Sequence, residues 1–165
     1  MSSIYIHIPF CKQKCIYCDF HFVISKKKEE ELINSIIKEI RTRRDYLKDK
    51  KLSSIYFGGG TPSIISTHLI KKILKNISEI FIITENTEIT IETNPDDINK
   101  KKLDDYFNMG INRLSIGVQS FDDEILKSLN RSHNSMQAKN SVEIAINSRI
   151  KNISIDIMFN LPNQG

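Results

Sequence analysis

Cys11, Cys15 and Cys18 are the only cysteines in this 165-residue sequence. They stand as C-x3-C-x2-C in the run Cys11-Lys12-Gln13-Lys14-Cys15-Ile16-Tyr17-Cys18. Close-set thiolates are ligands for soft metals. A structural iron–sulfur cube takes four cysteines. Three would hold three irons of a [4Fe–4S] cluster and leave the fourth iron for an exchangeable ligand, which suits a cluster that does chemistry. Zinc is the rival, because Cys3His is a structural zinc set and His7 and His21 flank the cysteines. Zinc ligands more often come as two separated pairs, whereas these three share one short stretch. A disulfide would leave one thiol over, and no signal peptide is read at the start. Bare thiols then fit a reducing, cytoplasmic setting.

Further residues could do chemistry at regular intervals along the chain. Gly58-Gly59-Gly60-Thr61-Pro62 permits close backbone approach. Thr61 is placed to cap a following helix, with Pro62 at its first position. Glu92, Gln119 and Asp156 each fall at the end of an apolar run. Arg131 offers the two-point fork that pairs with carboxylates.

These groups need a scaffold, and the hydrophobic pattern supplies one. Strands are expected over Ile4–Ile8, Ser54–Phe57, Glu88–Glu92, Arg113–Val118 and Asn152–Met158. Between them, apolar residues recur at helical spacing over Glu30–Leu47 and over Ile70–Ile77. Shorter helices are expected over Asn99–Met109, stopped by Gly110, and over Asp122–Leu129 and Ser135–Asn147. Alternating β and α units argue for an α/β fold with a parallel sheet and helical crossovers.

Composition sets the outer bounds. The hydrophobic fraction is 39% and no apolar run reaches the length of a membrane span. Peripheral membrane contact stays open. The net charge of +4 is spread over Lys26–Lys28, Arg41–Arg44, Lys48–Lys51 and Lys100–Lys102. Those groups read as solvated helix faces and ends, not as a nucleic-acid face.

Taken together, the motifs resemble the radical S-adenosylmethionine superfamily, and within it the oxygen-independent coproporphyrinogen III oxidase-like family. The resemblance is carried by Tyr5-x-His7-Ile8-Pro9-Phe10-Cys11, the cysteine spacing, Tyr56-Phe57-Gly58-Gly59-Gly60-Thr61-Pro62-Ser63 and Glu92-Thr93-Asn94-Pro95. Arg113-Leu-Ser-Ile-Gly117-Val-Gln119-Ser120-Phe121, Arg131-x-His133 and Asp156-Ile-Met-x-x-Leu161-Pro162-x-Gln164 complete it, in the family's order. The resemblance implies a partial parallel (β/α) barrel, here about five βα units of six, with the site at the C-terminal ends of the strands. Residues 1–165 would be one core domain, with a later strand and a C-terminal domain expected beyond it.

The resemblance also implies roles. Cys11, Cys15 and Cys18 would hold a [4Fe–4S] cluster, with S-adenosyl-L-methionine on the open iron. Tyr5, Tyr17, Gly59, Gly60, Thr61, Glu92, Gln119, Arg131 and Asp156 would contact that cofactor. An electron donor such as flavodoxin or ferredoxin would reduce the cluster. No residue is assigned as catalytic. His7 is read as a hydrogen-bonded core histidine and His133 as part of a helix-capping turn, and neither has a spacing that defines a metal site.

Within the family, the oxidase branch has a further cysteine two residues after the third and a long N-terminal extension. Here Phe20 stands at that position and Cys11 is close to the start. Both departures resemble the haem chaperone branch, whose members are taken to bind haem and pass it to respiratory haem proteins. Porphyrin-biosynthetic oxidase activity is the alternative, and a zinc-binding module is the non-enzymatic one. No haem-contacting residue is assigned within these 165 residues.

Overall fold

Ile6, Ile8, Ile55, Phe57, Ile89, Ile91, Leu114 and Ile116 occupy alternate positions along four strands, and all are buried. That period-two pattern puts one apolar face on the sheet. The computed structural model describes residues 2–162 and 164; Met1, Asn163 and Gly165 lie outside the described residues. The strands are β1 (Ser2–Ile8), β2 (Leu52–Gly59), β3 (Glu88–Thr93), β4 (Arg113–Gln119) and β5 (Asn152–Ile157). The helices are α1 (Glu29–Thr42), α2 (Thr67–Ser78), α3 (Lys100–Asn108), α4 (Asp123–Ser128) and α5 (Ser135–Ile146).

Every strand pair is parallel and the spatial order is β1-β2-β3-β4-β5. A sheet whose spatial order follows the chain, with helical returns of one hand, curls as a barrel does. This is the expected partial (β/α) barrel.

The apolar face packs on the helices. α2 contributes Leu69, Ile70, Ile73, Leu74 and Ile77, all buried, and α3 adds Leu103 and Tyr106. Phe57 is wholly enclosed at the middle of this layer. Phe57→Ala should therefore cost about 3–5 kcal/mol, read as a lower urea midpoint with an unchanged slope. An unchanged midpoint would mean that the core does not close around this ring.

The other face of the sheet is polar. Tyr5, Tyr56, Thr90 and Arg113 stand side by side in register, and Ser115 faces Ser154. Parallel strands buried on both faces are near-continuously apolar. Here alternation leaves one face free for polar groups, and that face runs up to the functional residues.

Two expectations need correction. The helix expected over Glu30–Leu47 ends at Thr42, where Arg43 takes a non-helical backbone. Leu47 still packs partly against the core, from the turn that follows. Its contact is apolar, and the helical period cannot tell a stripe on a helix from a loop residue folded onto the same core. Thr61 does not cap a long helix either. It precedes a single 3-10 turn, Pro62–Ile64, with no side-chain cap, and α2 begins only at Thr67. The other boundaries shift by a few residues. Asn99 and Asp122 cap α3 and α4 through their side chains, and α5 is capped by Asn134, one residue before the expected start at Ser135, in a reciprocal box with Gln137.

Candidate active site

The cysteine stretch is a loop fastened at both ends and in the middle. Cys11 N–H donates to Val23 O at 3.0 Å and Val23 N–H to Pro9 O at 2.7 Å, closing the loop at its base. Ile16 N–H reaches Leu129 O at 3.1 Å. Asn130, in a left-handed turn, donates to Lys14 O at 2.6 Å and accepts through its carbonyl from Gln13 at 2.8 Å. The turn after α4 thus carries the loop's far side.

Gly59 and Gly60 make room beneath it. Gly59 has φ +115°, and a Cβ there would fall 2.6 Å from the His7 ring. A Cβ on Gly60 would fall 2.8 Å from Phe10 O and 2.9 Å from Cys11 Sγ. Backbone and thiol approach this closely only because no side chain stands between them. Thr61 Oγ1 lies 3.6 Å from Cys11 Sγ.

Strand ends supply the other wall. Glu92 accepts the Tyr56 hydroxyl at 2.8 Å and the Gly59 N–H at 3.1 Å. Ser115 donates to Asp156 at 3.3 Å. Gln119 ends β4 with φ 65°. The Arg131 guanidinium reaches in from the turn after α4. It donates to Gly117 O at 2.8 Å, Tyr17 Oη at 3.1 Å, Cys15 Sγ at 3.3 Å and Asn94 Oδ1. Its Nε is buried and finds no partner among the described residues.

These groups enclose a cavity of about 210 Å³. All three cysteines line it, with Tyr17, Gly59, Gly60, Thr61, Glu92, Gln119, Arg131 and Asp156. Tyr5 does not. It lies lower on the polar face, 59% exposed, with its ring stacked on Tyr56 and its hydroxyl 3.3 Å from His7 Nδ1. His21 lines a different groove, beside Val23 and Pro9. Among the described residues no three His, Cys, Asp or Glu side chains converge on a single-ion site. His133 is buried and bonded to Val118 O at 3.0 Å, as a structural histidine would be.

The surroundings tune several groups. Burial pushes the Cys11 thiol up, with the Thr61 hydroxyl opposing. Burial, joined by the Glu92 carboxylate, pushes Tyr56 up to about 12. Tyr17 is also raised to about 12 by burial, against the pull of Arg131. Burial raises Glu92 as well, partly offset by the Tyr56 hydroxyl and the Gly59 amide.

Glu92→Gln tests that last arrangement. The carboxylate accepts on both oxygens, whereas glutamine must turn an amide N–H toward one of the two donors. The expected cost is about 1–3 kcal/mol. The raised native pKa also means that the native protein holds the proton longer than the unfolded chain. Stability from this group is therefore present below about pH 4.3 and lost as pH rises through the native value. In Glu92→Gln that loss should vanish from urea titrations across the carboxylate range. A variant with the parent's midpoint and pH slope would show that Glu92 is not held as described.

Several lining residues were missed in the sequence. Asn94 and Ser132 lie in recognised motifs, and Asn94 Nδ2 donates to Ser132 Oγ at 2.9 Å. Lys12, Phe20 and Phe22 also line the cavity. Lys12 and Phe22 carried no spacing signal. Phe20 signals in the sequence only that a fourth cysteine does not stand there.

Residues 5–165 match the model of the radical SAM superfamily. The chain is 42% identical to "Heme chaperone HemW" of Buchnera aphidicola subsp. Schizaphis graminum, over 98% of this chain and 43% of the relative. It is 35% identical to the protein of that name from Escherichia coli, over 98% and 43%. Among solved structures, Escherichia coli coproporphyrinogen III oxidase (HemN), described as a radical SAM enzyme, superposes with a TM-score of 0.89. It is 30% identical, and the match covers 98% of this chain and 38% of that one. The chain thus spans less than half the length of the curated relatives that it matches.

Proposed function

The chain belongs to the radical SAM superfamily, and from that premise we propose that it is the cofactor-binding part of a haem chaperone. Cys11, Cys15 and Cys18 hold a [4Fe–4S] cluster. Gly59, Gly60 and Thr61 form the floor of the S-adenosylmethionine site, with Glu92, Gln119 and Asp156 along its wall and Tyr17 at its rim. When bound, the pair supplies one-electron reductive cleavage of a carbon–sulfur bond. The chain's own residues bind, orient and keep water out.

The observation that carries this reading is the meeting of three thiols and a glycine cradle in one cavity. An unpartnered, buried Arg131 Nε points to a group that would complete it. Arg131 was expected to offer a free fork to a carboxylate. Its Nη1 and Nη2 groups already face protein acceptors, so Nε–H is the donor left for a ligand, and a two-point fork requires an Nη group to give up one of those acceptors. Tyr5 lies outside the cavity lining and is the weakest member of the assigned set. The zinc alternative lacks support from histidine, because neither His7 nor His21 lines the cavity.

Chaperone is favoured over oxidase by Phe20, which stands where the oxidase branch has a cysteine, and by the relatives' names. The carrier of haem transfer, the haem acceptor, the electron donor and a cytoplasmic setting are parts of the same proposal. Among the described residues no helix is long and apolar enough to cross a membrane. The test is made on the full-length protein. Haem should bind stoichiometrically by absorbance titration and pass to an apo respiratory haem protein. Decarboxylation of a porphyrinogen with no haem transfer would overturn the chaperone reading.

A further inference from the structure

Nothing in the cysteine spacing asks for a cation at position 12, yet Lys12 has a specific seat. Its ammonium lies 2.8 Å from Asp96 Oδ2 and 2.6 Å from Asp97 Oδ1. The lysine side chain is 37% exposed and the carboxylates only 10% and 7%. Both acids are held from behind. Asp97 accepts the Ser63 hydroxyl at 2.7 Å, and Ser63 Oγ accepts the Asn94 N–H at 3.1 Å. Asp96 Oδ1 accepts from the Asn94 side chain at 3.0 Å. Asp96 and Asp97 occupy the 3-10 turn after β3, and Ser63 the turn after β2. One lysine therefore joins the cysteine loop to two strand ends. An exposed ion pair is worth little, but these carboxylates are enclosed. Removing Lys12 takes away their direct ion-pair partner and leaves only the more distant charge of Lys102, whose ammonium donates to Ser63 O at 2.6 Å.

We propose that Lys12 is a positioning residue for the cluster. It fastens the segment between Cys11 and Cys15 to the ends of β2 and β3 through Asp96 and Asp97. Its charge, beside the cavity, also raises the cluster's reduction potential. This rests on the cluster reading given above. Groups that orient metal ligands from behind govern how firmly a site retains its metal, and net charge near a cluster sets its potential.

The test uses the full-length protein, reconstituted anaerobically, as wild type, Lys12→Met, Lys12→Arg and Asp97→Asn. Iron loss to a chelator, the potential from an EPR-monitored titration and the melting temperature are read for each. Lys12→Met and Asp97→Asn should lose iron about tenfold faster, and Lys12→Arg should restore most of the retention. The potential should fall in Lys12→Met, which loses a positive charge, and rise in Asp97→Asn, which loses a negative one. Lowered melting with wild-type iron loss and potential would make the clamp merely structural and overturn the proposal. If Lys12→Met does not fold, Asp97→Asn still decides it, by faster iron loss and a potential raised above that of the wild type, with Lys12→Arg expected near the wild type in both. Wild-type retention and potential in Asp97→Asn would overturn the proposal. A wild type that takes up no cluster would instead overturn the cluster reading itself.

Discussion

Cys15→Ala retains no [4Fe–4S] cluster after anaerobic reconstitution, and its melting temperature stays near that of the metal-free parent. Cys15 is the middle ligand of the proposed set and sits only partly buried at the cavity wall. Its removal leaves two thiols, and no histidine lines the cavity to replace it. The fold should tolerate the change because the loop is fastened by backbone bonds at Cys11, Val23 and Ile16 that alanine leaves intact. Iron and sulfide content with the brown absorbance are the readout. Full iron and sulfide in the variant would remove Cys15 from the ligand set.

Arg131→Ala is the second large effect, and it reaches further than the sequence suggested. As a carboxylate fork, Arg131 would matter to S-adenosylmethionine alone. The structure ties it also to Cys15 Sγ, Tyr17 Oη, Asn94 Oδ1 and Gly117 O. Alanine leaves those groups without a charged donor, each such bond being worth about 1.5–3 kcal/mol. S-adenosylmethionine affinity should fall by about tenfold or more, and the cluster should bleach faster in air. Equilibrium dialysis and the decay of the cluster absorbance check the two arms. Unchanged affinity would take Arg131 out of the site. Unchanged bleaching would show that its contact with Cys15 does not protect the cluster.

Much of this is legible in the sequence. The strands announce themselves by alternation, since Ile6 and Ile8 or Ile89 and Ile91 need one apolar face and the residues between them need the other. Motif order then predicts which strand ends meet, and all the assigned residues except Tyr5 line one cavity. Tyr5 departs because its strand position puts it on the polar face, stacked against Tyr56 and below the rim. What the sequence hid was long-range and polar. Lys12 and Asp97 are far apart in the chain, and no periodicity links a loop lysine to an aspartate on a 3-10 turn. The contacts of Arg131 were hidden for the same reason. A charge signals its chemistry in sequence, but its partners depend on how the turns fold.

The most direct test of the account is EPR of the anaerobically reconstituted, reduced full-length protein, with and without S-adenosylmethionine. The account predicts a reduced [4Fe–4S] signal that changes shape when the cofactor is added, because a cube held by Cys11, Cys15 and Cys18 has one iron open to it. A protein that binds zinc and forms no cluster, or a cluster signal indifferent to the cofactor, would contradict it.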